Sequence, residues 1–253
     1  MLSGGSLQEI LRAQKYLDTP SAVIQFKSRI LSYVEHRTAA IYHADSIVLE
    51  PVDRQYDRFI SAMNLTRKDA LFSFSLAPLS SRRDMAMLGV IHRSILGKGP
   101  SQIRRYFELE GASNHPSGRA TLRRHNQQIR TYRKGKFLET TSKSILGLID
   151  IYNLLPQEFI DSEDVHSFQT KLQGLLKEEV HRGRRGWESM FSPRHPLHLH
   201  PLVVRLNAVN SIQAAECDPN NVTDVNGVLG PFNLGDASIA PIDLPPSWWG
   251  RMR

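Results

Sequence analysis

The sequence predicts a mainly α-helical protein, a helical bundle that carries a basic irregular insert and a disordered C-terminal tail. Apolar residues recur at helical spacing through most of residues 21–109 and 141–191, which is the pattern of amphipathic helices. Residues 110–140 contain few apolar side chains and are dominated by Arg and Lys with interrupting Gly and Pro. Residues 211–253 are rich in Asn, Asp, Gly and Pro, a composition that disfavours a packed core.

The N-terminal half divides into a leader, residues 1–20, and a helical region, residues 21–109. The helical region is expected to contain helices over residues 21–44, 51–63 with Pro51 in the first turn, 82–96 ended by Gly97 and Gly99, and 102–109. The Thr66–Asp69 sequence has the form of an N-terminal cap. Ser80 or Ser81 is expected to cap the third of these helices.

The C-terminal half begins with residues 110–140, the basic segment, which we predict to be irregular or weakly β and mobile without a ligand. A C-terminal helical region, residues 141–191, is expected to contain helices over 142–155 and 164–180 and a further turn at Trp187–Phe191. Residues 192–253 are predicted to form a His- and Pro-rich, disordered tail.

Three histidines in this tail, His195, His198 and His200, are candidate metal ligands. Side chains two positions apart in an extended chain point the same way, so His198 and His200 could share a divalent ion. No acid or cysteine is spaced nearby to complete the ligand set, and Arg194 would repel the ion. We therefore assign this stretch to a polar surface strand and predict no metal or other cofactor.

Composition excludes several classes of protein. Cys217 is the only cysteine, which rules out an internal disulfide and a cysteine-based zinc site. The chain has no run of about 18 apolar residues, and Met1–Ser6 does not begin a secretory signal. These features favour an intracellular protein, nuclear or cytoplasmic, without a membrane partner. No Gly-X-Ser-X-Gly elbow or Gly-rich phosphate loop occurs.

Positive charge is concentrated in the middle of the chain. The net charge is +7, and residues 82–136 hold thirteen Lys or Arg against three acids. This asymmetry favours an anionic partner, nucleic acid first. Guanidinium groups bind phosphates bidentately, and Tyr132 and Phe137 offer ring faces to a base. The candidate nucleic-acid-binding residues are Arg82, Arg83, Arg119, Arg123, Arg124, Arg130, Arg133, Lys134 and Lys136, with Arg104 and Arg105 as an extension that depends on packing. A solvated linker and a nuclear-import or protein-docking patch stay open as other interpretations.

Several short motifs follow one another in a recognisable order. Ile151–Glu158 reads Ile-Tyr-Asn-Leu-Leu-Pro-Gln-Glu, and Val165–Leu172 opens the next helix with Val-His-Ser-Phe-Gln-Thr-Lys-Leu. Upstream, Leu76–Met85 contains Leu-Ala-Pro-Leu-Ser-Ser-Arg-Arg, and two helical patterns precede it at Ser21–His36 and Pro51–Phe59. In this order and spacing, the motifs resemble the thumb and post-thumb region of LINE-type (non-LTR) retrotransposon reverse transcriptases.

The resemblance implies a thumb-like bundle that grips a template–primer duplex by its backbone while an upstream palm, the missing partner, transfers nucleotides. No Tyr-X-Asp-Asp motif occurs in the chain, and nucleotidyl transfer needs such carboxylates to hold two metal ions. Tyr42–Asp45 imitates the motif with one carboxylate, and we assign it to the exposed end of a helix. The expected partner is therefore RNA, DNA or an RNA–DNA hybrid, with no catalytic residue in this chain. A stand-alone helical interaction module derived from a retroelement is the alternative.

Overall fold

Helices make up most of the residues that the structure describes, and their apolar side chains form two clusters. The computed structural model describes residues 4–109, 125–131, 138–195 and 199–205. Within these ranges the only extended pairing is an isolated antiparallel bridge between Leu109 and Ile129. The predicted mainly α-helical class is therefore confirmed.

The helices, in chain order, are α1 (Gly4–Ala13), α2 (Thr19–Phe26), α3 (Ser32–His36), α4 (Thr38–Ile41), α5 (Ser46–Ala62), α6 (Arg67–Phe74), α7 (Leu79–Ile95), α8 (Ser101–Arg104), α9 (Leu138–Ser142), α10 (Leu148–Asn153), α11 (Gln157–Ile160) and α12 (Val165–His181). A π-helical turn at Lys27–Leu31 joins α2 to α3, and 3-10 turns lie at Gln14–Tyr16 and Trp187–Ser189. None of the helices in the described ranges combines the length and the apolar character of a membrane span.

The N-terminal helices enclose one apolar cluster, formed mainly by α1, α2, α3 and α5. Phe26 and Phe59 stack at ring centroids 4.2 Å apart, and both are fully buried. Burying an aromatic side chain of this kind stabilises the fold by about 1.5–3 kcal/mol. Leu7 and Ile10 of α1 belong to the same cluster. The residues that the sequence assigned to a leader therefore include a helix that contributes to the core.

The helix predicted over residues 21–44 is interrupted in the structure. The π-helical turn widens it in the middle, and Arg37, at φ −100° and ψ 3°, separates α3 from α4. Helix α5 starts at Ser46, earlier than expected, so Pro51 lies inside the helix and not in its first turn. Because proline has no N–H, the carbonyl of Ile47 loses the hydrogen bond that a helix interior normally supplies.

Two predicted helix boundaries are confirmed. The Thr66 hydroxyl accepts from the backbone N–H of Asp69 at 3.1 Å, and the Asp69 carboxylate accepts from the Thr66 N–H at 3.2 Å. This reciprocal pair is a capping box at the start of α6. Gly97 follows α7 at φ 73°, a left-handed conformation that glycine adopts without a steric penalty. The N–H of Lys98 then bonds back to the carbonyl of Arg93 at 3.0 Å, which closes the helix end.

The predicted serine cap of α7 is wrong. The helix begins at Leu79, directly after Pro78, so Ser80 and Ser81 lie within its first turn. Ser81 is buried, and its hydroxyl donates to the carbonyl of Glu188 at 2.5 Å. The side chain therefore ties α7 to the segment after α12 instead of capping the helix.

Helix α7 is the centre of the second apolar cluster, where it packs against α10 and α12. Leu88 and Ile91 are fully buried there. Gly89 faces α12, and a Cβ at this position would lie 2.5 Å from the Gln169 side-chain nitrogen, so glycine allows the close approach of the two helices. The predicted helix over residues 164–180 is confirmed as α12, and the Asp164 side chain caps it.

Two other helices are shorter than the sequence predicts. The helix expected over residues 102–109 ends at Arg104, because the chain turns there to bury Phe107. The helix expected over residues 142–155 is divided by a turn at 143–147, which separates α9 from α10. Almost every side chain of α10 is buried, so this short helix is held from several sides.

The last described residues, 199–205, pack onto the second cluster. Leu202 is buried in it, and residues 201–205 are helical. Arg205 donates to Glu178 at 3.0 Å and lies 3.3 Å from the buried carboxylate of Glu179. The surface strand predicted around His195 and His200 is wrong in the residues of that stretch that the structure describes, because 193–195 form a turn and His200 is buried. Residues 1–212 form one compact unit, and the second unit, 213–253, lies outside the described ranges.

Candidate nucleic-acid interface

The first arginine pair predicted to bind nucleic acid, Arg82 and Arg83, is turned into the protein. The Arg83 side chain is 6% exposed, and its guanidinium donates to the two oxygens of Asp53 at 2.6 and 2.8 Å. Arg82 donates from Nε to Glu35 at 2.5 Å, and both of these side chains are mostly buried. Carboxylates of the protein therefore neutralise the pair, and Arg83 does not present its guanidinium to solvent in this structure.

A second arginine pair, Arg104 and Arg105, lies on the surface at the end of α8. Both side chains are exposed, and neither has a carboxylate partner among the described residues. Arg105 donates from Nη2 to the hydroxyl of Tyr106 at 2.9 Å, and its Cζ lies 4.9 Å from the centre of that ring. Tyr106 is itself 45% exposed. The pair therefore offers two guanidinium groups and an aromatic ring to an incoming ligand.

A groove of about 420 Å³ opens beside this second pair. Its size falls within the range of about 300–1,000 Å³ that is usual for small-ligand sites. Leu109, which lines it, is 53% exposed. The apolar lining comes from Ile95, Phe107 and Leu109, and the polar lining from Ser94, Ser101, Arg104, Arg105 and Glu108.

The groove is connected to the basic segment by the bridge between Leu109 and Ile129. Beside this bridge the backbone N–H of Arg130 donates to the carbonyl of Glu108 at 2.9 Å. The Arg130 side chain is 70% exposed, and its guanidinium is 3.9 Å from the Glu108 carboxylate. An ion pair this exposed contributes little to the stability of the fold. Arg130 can therefore exchange the Glu108 carboxylate for a phosphate with little loss of free energy.

The Asn153 side chain holds the bridge from the other side. Its Oδ1 accepts from the backbone N–H of Ile129 at 2.9 Å, and its Nδ2 donates to the carbonyl of Ile129 at 2.7 Å. The carboxamide therefore pairs with Ile129 as a residue of a neighbouring strand would. The side chain of Gln128 also donates to the carbonyl of Asn153 at 3.1 Å.

Gln157 makes a second pair of this kind with Asn126. Its Oε1 accepts from the Asn126 backbone N–H at 2.8 Å, and its Nε2 donates to the Asn126 side chain at 3.0 Å. We call the contacts of Asn153 and Gln157 with residues 126–129 the clasp. Next to it, His125 is buried and donates from Nε2 to the carbonyl of Tyr152 at 3.2 Å. Burial lowers the pKa of His125, because desolvation disfavours the charged ring.

The clasp gives a structural role to the Tyr-Asn-Leu-Leu-Pro-Gln stretch that stands out in the sequence. Its two amide side chains reach partners 24 and 31 residues upstream, and no pattern in the sequence indicates those partners. Tyr106 was likewise not among the sequence-predicted site residues. Of the candidates in the basic segment, the structure describes Arg130. The remaining candidates lie outside the described ranges and stay predictions: Arg119, Arg123, Arg124, Arg133, Lys134 and Lys136, together with the aromatic residues Tyr132 and Phe137.

A buried carboxyl, Asp84, lines a separate cleft of about 310 Å³. The hydroxyl of Tyr42 donates to its Oδ1 at 2.8 Å, and burial raises the pKa of Asp84 to about 7. The stretch Tyr42–Asp45 follows the end of α4 with His43 and Asp45 exposed, as predicted, but Tyr42 itself is buried. Within the part of the chain that the structure describes, no three His, Cys, Asp or Glu side chains are arranged to hold a metal ion.

The histidines considered as metal ligands are arranged differently from the predicted strand. His200 is fully buried, its Nε2 donates to the carbonyl of Ser192 at 3.1 Å, and its Nδ1 accepts from the N–H of Leu202 at 3.3 Å. Both ring nitrogens are therefore engaged within the protein. The ring of His195 is 6.4 Å away, and His198 lies outside the described ranges.

No protein-family model, curated protein or solved structure matches the chain. The resemblance to LINE-type reverse transcriptases therefore rests on the sequence motifs alone. The function of the candidate interface is therefore inferred from its own residues. These are the exposed Arg104 and Arg105 without carboxylate partners among the described residues, the exposed ring of Tyr106, and a groove next to the clasp.

Proposed function

We propose that the chain binds the sugar–phosphate backbone of nucleic acid, as the thumb-like C-terminal part of a LINE-type reverse transcriptase that lacks its catalytic palm. The observation that carries the proposal is the contrast in charge at the groove. Arg104, Arg105 and Arg130 are exposed around it, and Glu108 is the one acid among the residues that line it.

Electrostatics supports a phosphate ligand at this groove. Each exposed guanidinium that neutralises a phosphate releases condensed counterions, which is the main source of affinity in backbone binding. The arginines lie at irregular spacing on two segments that are distant in sequence, so they suit a backbone that passes over them better than a set of base edges. The protein's function is then to hold nucleic acid, and the chemistry belongs to residues that this chain does not contain.

The clasp supports the proposal because it fixes where the basic segment meets the folded body. Residues 125–131 are anchored next to the groove by side chains of α10 and α11. The other arginines and lysines of the basic segment, from Arg119 to Lys136, are close in sequence to these anchored residues. Backbone binding by the groove and by the basic segment would therefore add up over one continuous contact.

The test is binding of the purified chain to a labelled RNA–DNA hybrid over a series of salt concentrations. The test variant changes Arg104, Arg105 and Arg130 to Gln. Each lost phosphate contact should flatten the slope of log K against log salt by about 0.7–0.9, so the three together should flatten it by about 2–3.

A matched control changes three exposed cations of the N-terminal helices to Gln. They are Arg12, Arg58 and Lys68. It lowers the net charge equally, so a general charge effect would flatten its slope as much as that of the test variant. We expect the control to keep the slope of the unaltered chain. Equal slopes for all three proteins, or no binding at low salt, would reject the proposal and favour the stand-alone interaction module.

A further inference from the structure

We infer that the groove beside Arg104 and Arg105 takes unpaired nucleotides, with a base stacked on Tyr106 and the flanking phosphates on the two arginines. This inference rests on the proposed function and specifies its ligand, a duplex that carries a single-stranded extension.

The lining of the groove is partly apolar, which a duplex backbone would not use. Ile95, Phe107 and Leu109 contribute this apolar surface, and half of the Leu109 side chain is open to solvent. Phosphates and sugars gain little free energy from covering a leucine side chain, whereas the flat apolar face of a base gains more. An exposed apolar wall next to two guanidinium groups therefore fits a ligand with a flat apolar face and a nearby negative charge.

Tyr106 supplies an aromatic surface next to the groove: it stands in the chain between the lining residues Arg105 and Phe107, although its own side chain is not part of the lining. It follows Arg105 directly, is 45% exposed, and is held in position by the hydrogen bond from the Arg105 guanidinium. Because base stacking on an aromatic side chain works for every base, such a ring binds single strands with little sequence preference. The bases of a duplex already stack on one another, so an interior base pair cannot offer its face to this ring.

The position of the bridge explains how a single strand would continue. Leu109 pairs with Ile129, and Arg130 follows beside Glu108, so a strand leaving the groove meets Arg130 next. The groove would therefore hold the unpaired nucleotides, and the exposed guanidinium of Arg130 would contact the next phosphate of the same strand.

The experiment compares two labelled RNA–DNA hybrids of the same duplex length, one with blunt ends and one with a five-nucleotide extension that contains 2-aminopurine. We expect the extension to strengthen binding about tenfold or more, as for one well-stacked base, and to change the fluorescence of the 2-aminopurine. Tyr106→Ala should remove this gain without changing the salt slope, and Tyr106→Phe should restore it, since the ring is kept.

The control variant is Tyr16→Ala. Tyr16 is also exposed and also lies beside a cation, with Lys15 4.8 Å from its ring centre, but it belongs to the N-terminal helices. We expect Tyr16→Ala to keep the gain from the extension. Equal binding of the two hybrids, or a gain that survives Tyr106→Ala, would overturn the inference while leaving backbone binding intact. Absence of salt-dependent binding to either hybrid would instead reject the proposed function.

Discussion

Arg82–Arg83 and Arg104–Arg105 are the same dipeptide in two environments, the first paired with carboxylates and the second exposed on the surface. The first pair lies in the first turn of α7, between two helices that supply Asp53 and Glu35. The second lies at the C-terminal end of the four-residue helix α8 on the surface and has no carboxylate partner among the described residues. The difference teaches that acids distant in sequence decide whether an arginine pair is neutralised within the fold or stays exposed to solvent.

Replacement of Asp84, the buried carboxyl next to Arg83, should give the largest change in the free energy of unfolding. The pKa of Asp84 is about 7 in the folded chain and close to 3.9 in an unfolded one, so the protonated form favours folding. The stabilisation is complete below about pH 4 and is lost as the pH rises through 7. Asp84→Asn should therefore gain stability relative to the unaltered chain between these values, by about 4 kcal/mol at most.

Urea unfolding of both proteins from pH 4 to 8 measures this difference. The groups that face Asp84 are Tyr42, Arg83, Arg194 and Asp53, and they are kept in the variant. Burial lowers the pKa of His92 in the folded chain, which acts in the opposite direction, but it does so in both proteins and cancels. A difference that stays constant with pH would show that Asp84 is ionised throughout.

Breaking the ion pair between Arg83 and Asp53 should give the next largest change in the free energy of unfolding. Arg83→Met leaves the Asp53 carboxylate without its two hydrogen bonds, and breaking a buried ion pair costs about 3–5 kcal/mol. Because the Asp53 side chain is 31% exposed, we expect a loss near the lower end, about 3 kcal/mol. Chemical denaturation measures it.

Arg83→Met should leave the salt slope of hybrid binding unchanged, since Arg83 does not reach the ligand. The double variant Arg83→Met with Asp53→Leu should recover most of the lost stability, because no unpaired charge remains. A flattened salt slope in the folded single variant would place Arg83 at the interface and erase the contrast with Arg104 and Arg105.

The clasp is expected to have an intermediate effect. Asn153→Asp keeps the acceptor for the Ile129 N–H but sets a carboxylate against the Ile129 carbonyl, which should cost about 2 kcal/mol. Hydrogen exchange at the Ile129 amide should speed up, and hybrid affinity should fall although the arginines are intact. Asn64→Asp, at an exposed turn, is the matched control. Unchanged exchange at Ile129 would mean that the clasp does not hold the bridge.

The smallest expected effects separate the two dipeptides by single substitutions. Arg105→Gln should flatten the salt slope of hybrid binding by about 0.7–0.9 and leave the free energy of unfolding unchanged. Arg82→Gln should do the reverse: the slope stays the same, and stability falls by about 1 kcal/mol, as for a half-buried ion pair with Glu35. Binding titrations and denaturation curves on the same two preparations decide between the two patterns.

The features that depend on residues close together in the sequence could be predicted from the sequence alone. The helical class, the capping box at Thr66, the end of α7 at Gly97 and the extent of α12 all follow from spacing and local hydrogen bonding. The breaks at Arg37 and at residues 143–147 do not, because packing between helices overrides the apolar period there.

The candidate site depended more on distant contacts, so less of it could be predicted. The charge of the basic segment is visible in the sequence, but the burial of Arg83 depends on Asp53, which is 30 residues away. Asn153 belongs to a motif that the sequence reveals, whereas its partner Ile129 does not. Patterns in a sequence locate the residue types that a site needs, and tertiary contacts decide which of them reach the ligand.

The bond geometry at Ile129 has a consequence for how such a sequence can diverge. Asn153 hydrogen-bonds only to main-chain atoms there, and every residue other than proline carries the same two groups. The hydrogen bonds therefore require no particular side chain at the anchored position, and burial requires only that it be apolar. Exchange of Ile129 for another apolar residue should therefore keep the attachment, whereas Asn126 and Gln128 contribute side-chain hydrogen bonds of their own to the clasp.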